Sequence, residues 1–441
     1  MKKNLLAHLL SWLVMWLLPI ICVAQNTKPS DKPSSSQTTE NEKPFTLRQA
    51  LVAAYYYDPR IKAAIENIKA GEATYNATRA ARLPQITLST SYGSNQYDIN
   101  GEEQATAGEQ SGANLGITAP IATFGRQEAS EKSAASQLAS TRINFQQQKS
   151  DLFNEVIQSY FGLLFIEQVY RLKLQNKQLI ETQLAEATKR FDREAITITE
   201  LRAIRTRLND SNIEALDAAA SYITQKQLFA SLIGRTDIDN LVVNSSEEFL
   251  KTLPTTLKEA KKLLLQNAPA IKETQQAIIR AEAALENARA NFFPQLNLQG
   301  GISRNIANQE ITDQNYATLN MNIILTNGGI GLLQQTQLAA ELKRTRYSQA
   351  SIKNQLLDNL QNNWQSYNSY QQIVKDRADN IKQYEKIYQD TKRALSLGRG
   401  TLSNLIDVRS RLLEQYIAYA NAVNFRTIFG LSLANNLGMI N

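Results

Sequence analysis

The stretch "RLPQITLSTSYG" (82–93) has a second copy in the chain, "FFPQLNLQGGIS" (292–303). In each copy a Pro-Gln pair is followed by residues that alternate between apolar and small or polar side chains. A residue before proline is disfavoured in a helix, and alternation with period two is typical of a β-strand. Each copy therefore predicts a joint at which a helix ends and a strand begins. The Pro-Gln pairs themselves are interpreted as structural, without chemistry of their own.

The residues before these stretches are duplicated as well. Residues 46–88 align on 256–298 without a gap, at a constant offset of 210 positions. The identical pairs include Thr46/Thr256, Leu47/Leu257, Pro59/Pro269, Arg79/Arg289 and Pro84/Pro294. Both threonines are predicted to be helix N-caps, because a threonine hydroxyl can accept a hydrogen bond from a free backbone N–H. The chain is thus predicted to be an internal duplication.

Each half continues with a second alternating segment and a glycine-containing turn, "TFGR" (123–126) or "TNGG" (326–329). We therefore predict four strands and two polar loops. The strands are placed at about 84–97, 114–123, 294–304 and 316–326, and the loops at 98–114 and 304–315.

Beyond the turns, proline is absent from 121 to 253 and from 295 to the end of the chain. Apolar residues recur there at spacings of three and four, which is typical of helices in a coiled coil. A single helix over 126–193 would be about 100 Å long at 1.5 Å per residue. Ordinary amphipathic helices of a soluble bundle would give similar spacing, but the length without helix breakers favours the coiled coil.

A second paired motif follows these long segments. "EAITITELRAIRTRL" (194–208) matches "GRGTLSNLIDVRSRL" (398–412) at an offset of 204 positions. Thr197 and Thr401 occupy equivalent positions in it and are predicted to cap two return helices. Each half is therefore predicted to run helix, strand, loop, strand, very long helix, tight turn and return helix.

The N-terminal region is predicted to lie outside this duplication. Residues 1–24 have the basic start, apolar run and small-residue end of a signal peptide, and residues 25–44 form a Ser/Thr/Pro-rich flexible leader. The two repeats are predicted at 45–253 and 254–441. Lipidation of Cys22 is not expected, because two isoleucines precede the cysteine where lipoproteins have small residues.

Removal of the signal peptide would remove the single cysteine, Cys22, and the single histidine, His8. Cysteine nucleophiles, histidine bases and Cys/His metal sites are then excluded. We predict no catalytic residue, no metal site, no cofactor and no enzyme activity. The 48 basic residues are interspersed with 41 acidic ones, which predicts a mixed-charge surface rather than nucleic-acid binding.

No long apolar run follows residue 24, so the sequence predicts no transmembrane helix. A membrane could still be crossed by alternating strands. Four strands cannot close a barrel, and open sheet edges are not tolerated in lipid. If the strands cross a membrane, several chains must share one barrel, and closed cyclic assembly is the natural solution.

Together, the Pro-Gln joints, the glycine turns and the paired motifs resemble the TolC family of outer-membrane channels over nearly the whole chain from Phe45. The segment 190–208 is similar to the version of the motif in efflux and type I secretion channels. The residues that fit it are Phe191, Asp192, Thr197, Thr199, Glu200 and Leu201. Glu194 stands where that family usually has glycine, which leaves open a differently shaped turn.

The resemblance implies an α+β membrane protein that forms a homotrimer in the bacterial outer membrane. Its fold would be a twelve-strand transmembrane β-barrel, four strands per chain, continued by a long α-helical coiled-coil barrel in the periplasm. Substrates would pass outward without catalysis, in efflux or type I secretion. The implied partners are outer-membrane lipid, a periplasmic adaptor (membrane fusion) protein and an inner-membrane pump of RND or ABC type.

The resemblance also assigns roles to the two turns, 190–201 and 398–405, as tips that dock on the adaptor. The docking residues would be Phe191, Asp192, Thr197, Thr199, Leu201, Gly398, Thr401 and Leu405. The family often narrows its periplasmic entrance with two aspartates three positions apart, and Asn404 and Asp407 match those positions here. Three chains would then present one carboxylate ring, which favours cations. The alternative is that Asp407 is a solvated helix residue.

Other interpretations stay open from sequence alone. A soluble periplasmic coiled-coil scaffold could carry the alternating stretches as small hairpins, whereas a carboxylate-based hydrolase lacks a paired acidic motif. Tyr92, Tyr97 and Tyr316 could form an interfacial aromatic girdle or pack locally. Drugs, proteins and metals all remain possible substrates, although the absence of histidine and the scarcity of methionine after residue 24 argue mildly against metals.

Overall fold

The computed structural model describes residues 45–95, 108–235, 250–307 and 310–440. The predicted signal peptide and leader, 1–44, and Tyr97 lie outside the described residues. The helices are α1 Leu47–Tyr57, α2 Pro59–Ala80, α3 Arg126–Phe191, α4 Ile198–Ile233, α5 Leu257–Asn267, α6 Pro269–Ala290, α7 Ile330–Ser396 and α8 Leu402–Asn436. The strands are β1 Gln85–Asn95, β2 Gly108–Ala122, β3 Gln295–Ala307 and β4 Glu310–Asn322.

Two very long helices dominate the fold. Helix α3 has 66 residues and α7 has 67, so each is about 100 Å long. Helix α4 packs antiparallel on α3, and α8 packs antiparallel on α7, which gives two long helical hairpins. The predicted long helix and return helix of each half are confirmed. In the described part of the chain, no helix combines the length and the apolar character needed to cross a membrane.

The four strands form one antiparallel sheet in the order β1-β2-β3-β4. Two hairpins, β1–β2 and β3–β4, come from the two halves, and the β2–β3 ladder joins them. In the first hairpin Ile86 pairs with Ile117 and Leu88 with Leu115, so the apolar residues of the alternating pattern share a face. Most of these side chains are exposed in the single chain.

The strands extend further into the predicted polar loops than the sequence indicated. Strand β2 begins at Gly108 rather than near 114, β3 continues to Ala307, and β4 begins at Glu310 rather than near 316. Polar cross-strand pairs support the added ladder: Arg304 lies opposite Asp313, with Nε 2.7 Å from the carboxylate oxygen. A strand that buries no face needs no apolar alternation, which is why these segments were predicted as loops.

All four threonine caps are confirmed. Each threonine hydroxyl accepts a hydrogen bond from the backbone N–H three residues later, at 3.2–3.3 Å. At Thr46 the Gln49 side chain also accepts from the Thr46 backbone N–H at 2.9 Å, which completes a capping box. The caps are Thr46, Thr197, Thr256 and Thr401.

The two halves differ where the second helix of each begins. Asp58 caps α2, and its carboxylate accepts from the Arg60 backbone N–H at 2.6 Å. The Arg60 guanidinium lies 2.7 Å from Asp58 and 2.8 Å from Glu155 of α3, so the cap also fastens α2 to the long helix. The equivalent residue in the second half is Ala268, which has no side chain able to cap.

We expect Asp58→Ala to lower the free energy of unfolding by about 2 kcal/mol at pH 7, because a buried cap and its ion pair are lost. The hydrogen bond and charge of Arg60 lower the pKa of Asp58. A depressed pKa adds stability that is complete above the unfolded value of about 4 and is lost as pH falls through the lower native value. The difference between wild type and Asp58→Ala in denaturant titrations should therefore shrink below about pH 4.

Asp58→Asn is the matched control, since asparagine retains capping capacity without the charge. It should lose less stability than Asp58→Ala. Equal losses in the two variants, or a difference that grows at low pH, would contradict the assignment of the cap.

Candidate functional site

The turns that join the long helices to their return helices have the same backbone geometry in both halves. After α3, the Ala195 N–H donates to the Arg190 carbonyl at 2.9 Å; after α7, the Arg399 N–H donates to the Ala394 carbonyl at 2.9 Å. Glu194 has φ 56° and its equivalent Gly398 has φ 70°. Glu194 thus adopts the left-handed conformation expected of glycine, and the turn keeps its shape despite the substitution.

This conformation is strained for glutamate, because a Cβ in the left-handed region crowds the backbone. We expect Glu194→Gly to stabilise the first turn by about 1 kcal/mol, and hydrogen exchange of its amides should slow by about fivefold. Gly398→Ala should destabilise the second turn by a similar amount. Because a Cβ at Gly398 would meet no atom within 4 Å, that change tests the backbone alone. Shifts of the same sign in both variants would contradict this interpretation.

The two turns meet in one apolar cluster, which we call the tip cluster. Its buried members are Ala187, Leu201, Ile204, Leu402, Leu405 and Ile406, and Phe191, Ile196 and Tyr388 pack against it. The cluster draws on all four helices of the two hairpins, so both turns are held at one end of the chain. Because α3 and α7 lead there from the sheet, this end lies about 100 Å from the strands.

The residues predicted to dock an adaptor divide into three groups at this end. Leu201 and Leu405 are buried in the tip cluster, and Phe191 packs half-buried against it. Thr197 and Thr401 use their hydroxyls to cap α4 and α8. Asp192, Thr199 and Gly398 are exposed. The first two groups therefore shape the turns, although Thr197 and Thr401 are also exposed.

The two predicted entrance residues have different surroundings. The Asn404 backbone N–H donates to the Thr401 hydroxyl at 3.2 Å, and its side chain is exposed. Asp407 forms a salt bridge with Arg207, which lies on α4, so the carboxylate links the two return helices. Sequence reasoning missed Arg207 as a partner, because the two residues lie 200 positions apart and no periodic pattern connects them.

Arg409 also contributes to this end of the chain. Its guanidinium lies 5.6 Å from the centre of the Tyr388 ring, within the range of a cation–π interaction. Across the part of the chain that the structure describes, no group of His, Cys, Asp and Glu side chains could hold a metal ion.

The fold is a four-stranded antiparallel sheet continued by two helical hairpins of about 100 Å, with paired turns at the far end. Its class is that of an outer-membrane channel protein. The sequence model of the outer membrane efflux protein family matches residues 51–235 and 261–439, and the chain belongs to that family.

Curated relatives agree with this assignment. Alkaline protease secretion protein AprF of Pseudomonas aeruginosa is 22% identical over 382 residues, covering 83% of this chain and 77% of the relative. Outer membrane efflux protein BepC of Brucella suis is 22% identical over 401 residues, covering 89% and 85%. Outer membrane protein TolC of Escherichia coli is 22% identical over 430 residues, covering 90% and 82%.

Solved structures agree on the fold. The outer-membrane channel OprN superposes with a TM-score of 0.78 at 16% identity, covering 89% of each chain. VceC of Vibrio cholerae superposes with a TM-score of 0.76 at 16% identity, covering 89% of this chain and 96% of the other. These findings confirm the resemblance to the TolC family and the predicted fold class. They also confirm the function as an outer-membrane channel of efflux or type I secretion. The outer-membrane location, with a large periplasmic helical portion, is confirmed as well.

Proposed function

We propose that three copies of this chain form one passive export channel, which receives substrates at the helical tips and releases them through the sheet without catalysis. The observation that carries this proposal is the pair of tips held in one cluster about 100 Å from the sheet. We also propose that the repeats 45–253 and 254–441 are the two units of the duplication.

The unpaired sheet edges and the exposed surface of α7 in the single chain support a trimer. Strands β1 and β4 are the two edges of the sheet, and open edges are not tolerated in lipid. Pairing β4 of one copy with β1 of the next would close a barrel of twelve strands. Along its 67 residues α7 buries only Gly331, Leu360 and Ile381 within the described chain, so most of its surface is left for a neighbouring copy.

The exposed tip residues are proposed to dock a periplasmic adaptor, which an inner-membrane pump of RND or ABC type would energise. Asp192, Thr199 and Gly398 are exposed at the two turns, whereas the buried leucines hold the turns in place. Exposed residues held in place by packed helices are well suited to bind a protein partner. When Asp192 and Thr199 are both substituted, we expect the adaptor no longer to co-purify with the channel. The channel itself should still be recovered as a trimer.

We further propose that Asn404 and Asp407 lie at a periplasmic constriction in which Arg207 holds Asp407. Single-channel conductance in planar bilayers should rise by a similar factor in Arg207→Ala and Asp407→Ala, because either change breaks the same link. The double variant should add little to either single change, as expected for two partners in one interaction. Arg142→Ala is the control, since it breaks the exposed pair with Glu72 away from the tips.

Unchanged conductance in both single variants would contradict the constriction. The channel proposal itself is tested by fractionation and gel migration of the wild-type protein. Recovery in the outer membrane as a heat-modifiable oligomer is expected. Recovery entirely in the soluble periplasmic fraction would favour the coiled-coil scaffold instead.

A further inference from the structure

The net charge of this protein is concentrated at its tips. The paired segments 189–208 and 393–412 contain 10 basic and 4 acidic residues. The rest of the chain contains 38 basic and 37 acidic residues. Of a formal net charge of +7, six charges therefore come from 40 residues around the two turns. A mixed-charge surface, which the composition predicted, describes the body of the molecule but not this end.

Most of these cationic side chains are exposed and form no salt bridge with a described residue. Within the described residues, the salt bridges in these segments are Arg190 with Glu186 and Arg207 with Asp407. The other exposed cations have no carboxylate within salt-bridge distance among the described residues. They are Lys189, Arg193, Arg202, Arg205, Arg393, Arg399 and Arg411.

The one carboxylate predicted to favour cations is neutralised in this arrangement. Asp407 is paired with Arg207, and Arg411 lies one turn further along α8 on the same face. A ring built from Asp407 would thus be a ring of ion pairs with arginines beside it. The local potential at this end is positive, opposite to the sign that the aspartate alone indicated.

We propose that the tip end of this channel is an anion-attracting mouth and that its cargo belongs to the class of small anionic solutes, such as carboxylates and phosphates. This inference rests on the proposed function, because it requires the tips to surround the entrance. A trimer would place about 18 net positive charges around one opening, and a narrow opening with low-dielectric walls focuses such a field. Charges elsewhere act weakly there, since the Debye length is about 8 Å at physiological ionic strength.

The sign of ion selectivity tests the inference on the purified trimer. In planar bilayers with a KCl gradient, the wild-type channel should pass chloride in preference to potassium, and the reversal potential reports the ratio of their permeabilities. Arg205→Gln combined with Arg411→Gln removes two unpaired tip charges per chain. This variant should lower the chloride-to-potassium permeability ratio by about twofold or more.

Lys251→Gln combined with Lys258→Gln is the matched control, because it removes the same charge from exposed positions near α5. Helix α5 packs against Leu360 of α7, about 50 Å from the tip at 1.5 Å per residue. The control should leave the ratio unchanged. A conducting wild-type channel that prefers potassium, or equal effects of the two double variants, would overturn the anionic mouth. Absence of any conductance would instead overturn the proposed channel on which the inference rests.

Discussion

Phe229→Ala is expected to lower the free energy of unfolding by about 3–5 kcal/mol, the usual loss for a large aromatic side chain removed from a well-packed core. Phe229 is 0% exposed near the end of α4. Its ring centre lies 5.8 Å from that of Tyr160 on α3 and 6.4 Å from that of Phe45, both in edge-to-face geometry. The Tyr160 hydroxyl donates to the Phe45 carbonyl at 2.8 Å, so the three residues form one unit.

This unit holds the first helical hairpin to the start of the described chain. Removal of the Phe229 ring would leave a cavity between α3 and α4, and rigid helices of this length relax only partly to fill it. Unfolding in denaturant, followed by circular dichroism of the detergent-solubilised protein, measures the loss.

Leu228→Ala is the control for Phe229→Ala, since Leu228 is the neighbouring residue on the same helix and is 59% exposed. It should change stability by no more than about 0.5 kcal/mol. Similar losses in the two variants would contradict the interpretation that burial of the Phe229 ring stabilises this region.

Local signals in the sequence predicted the elements well. A threonine before an apolar helix and a proline at its end act through backbone chemistry within a few residues, so the caps at Thr197 and Thr401 could be predicted without knowledge of the fold. The duplication strengthened each prediction, because the same sequence feature at two equivalent positions supports the same structural element twice. Strand ends were predicted less well, because Arg304 and Asp313 stabilise a ladder without an apolar pattern.

The tips were predicted in position but not in their contacts. Leu201 and Leu405 matched a docking motif, and burial in the tip cluster became visible only when four helices came together. The same holds for Arg207 and Asp407, whose pairing depends on how α4 lies against α8. Contacts between residues far apart in sequence depend on the packing of elements, and neither periodicity nor spacing encodes them.

The glycines of the second copy of the opening stretch have a packing role that periodicity did not predict. Gly301 lies opposite Gly116 on β2 and opposite Tyr316 on β4. A Cβ at Gly301 would lie 2.8 Å from the Leu115 carbonyl oxygen and 2.9 Å from the Tyr316 hydroxyl. The Tyr316 side chain therefore lies across the glycine while remaining 36% exposed, and Tyr92 is 76% exposed.

Gly301→Val should destabilise the sheet by about 3 kcal/mol or more through overpacking. The side chain of Tyr316 could move aside, but the Leu115 carbonyl oxygen is a backbone atom of β2, which is paired on both sides with β1 and β3 and has little room to move. That ladder is the connection between the two halves of the sheet. The measurement is the fraction of protein that migrates as the heat-modifiable oligomer as the sample temperature is raised before electrophoresis.

Gly93→Val provides the control within the same sheet. Gly93 lies on β1, and a Cβ there would meet no atom within 4 Å, so valine adds strand propensity without a clash. The oligomer should persist in this variant and be lost at a lower temperature in Gly301→Val. If Gly301→Val assembled like wild type, the β2–β3 ladder would have to tolerate a shift of its backbone. The close approach at Gly301 would then not be required for joining the two halves of the sheet.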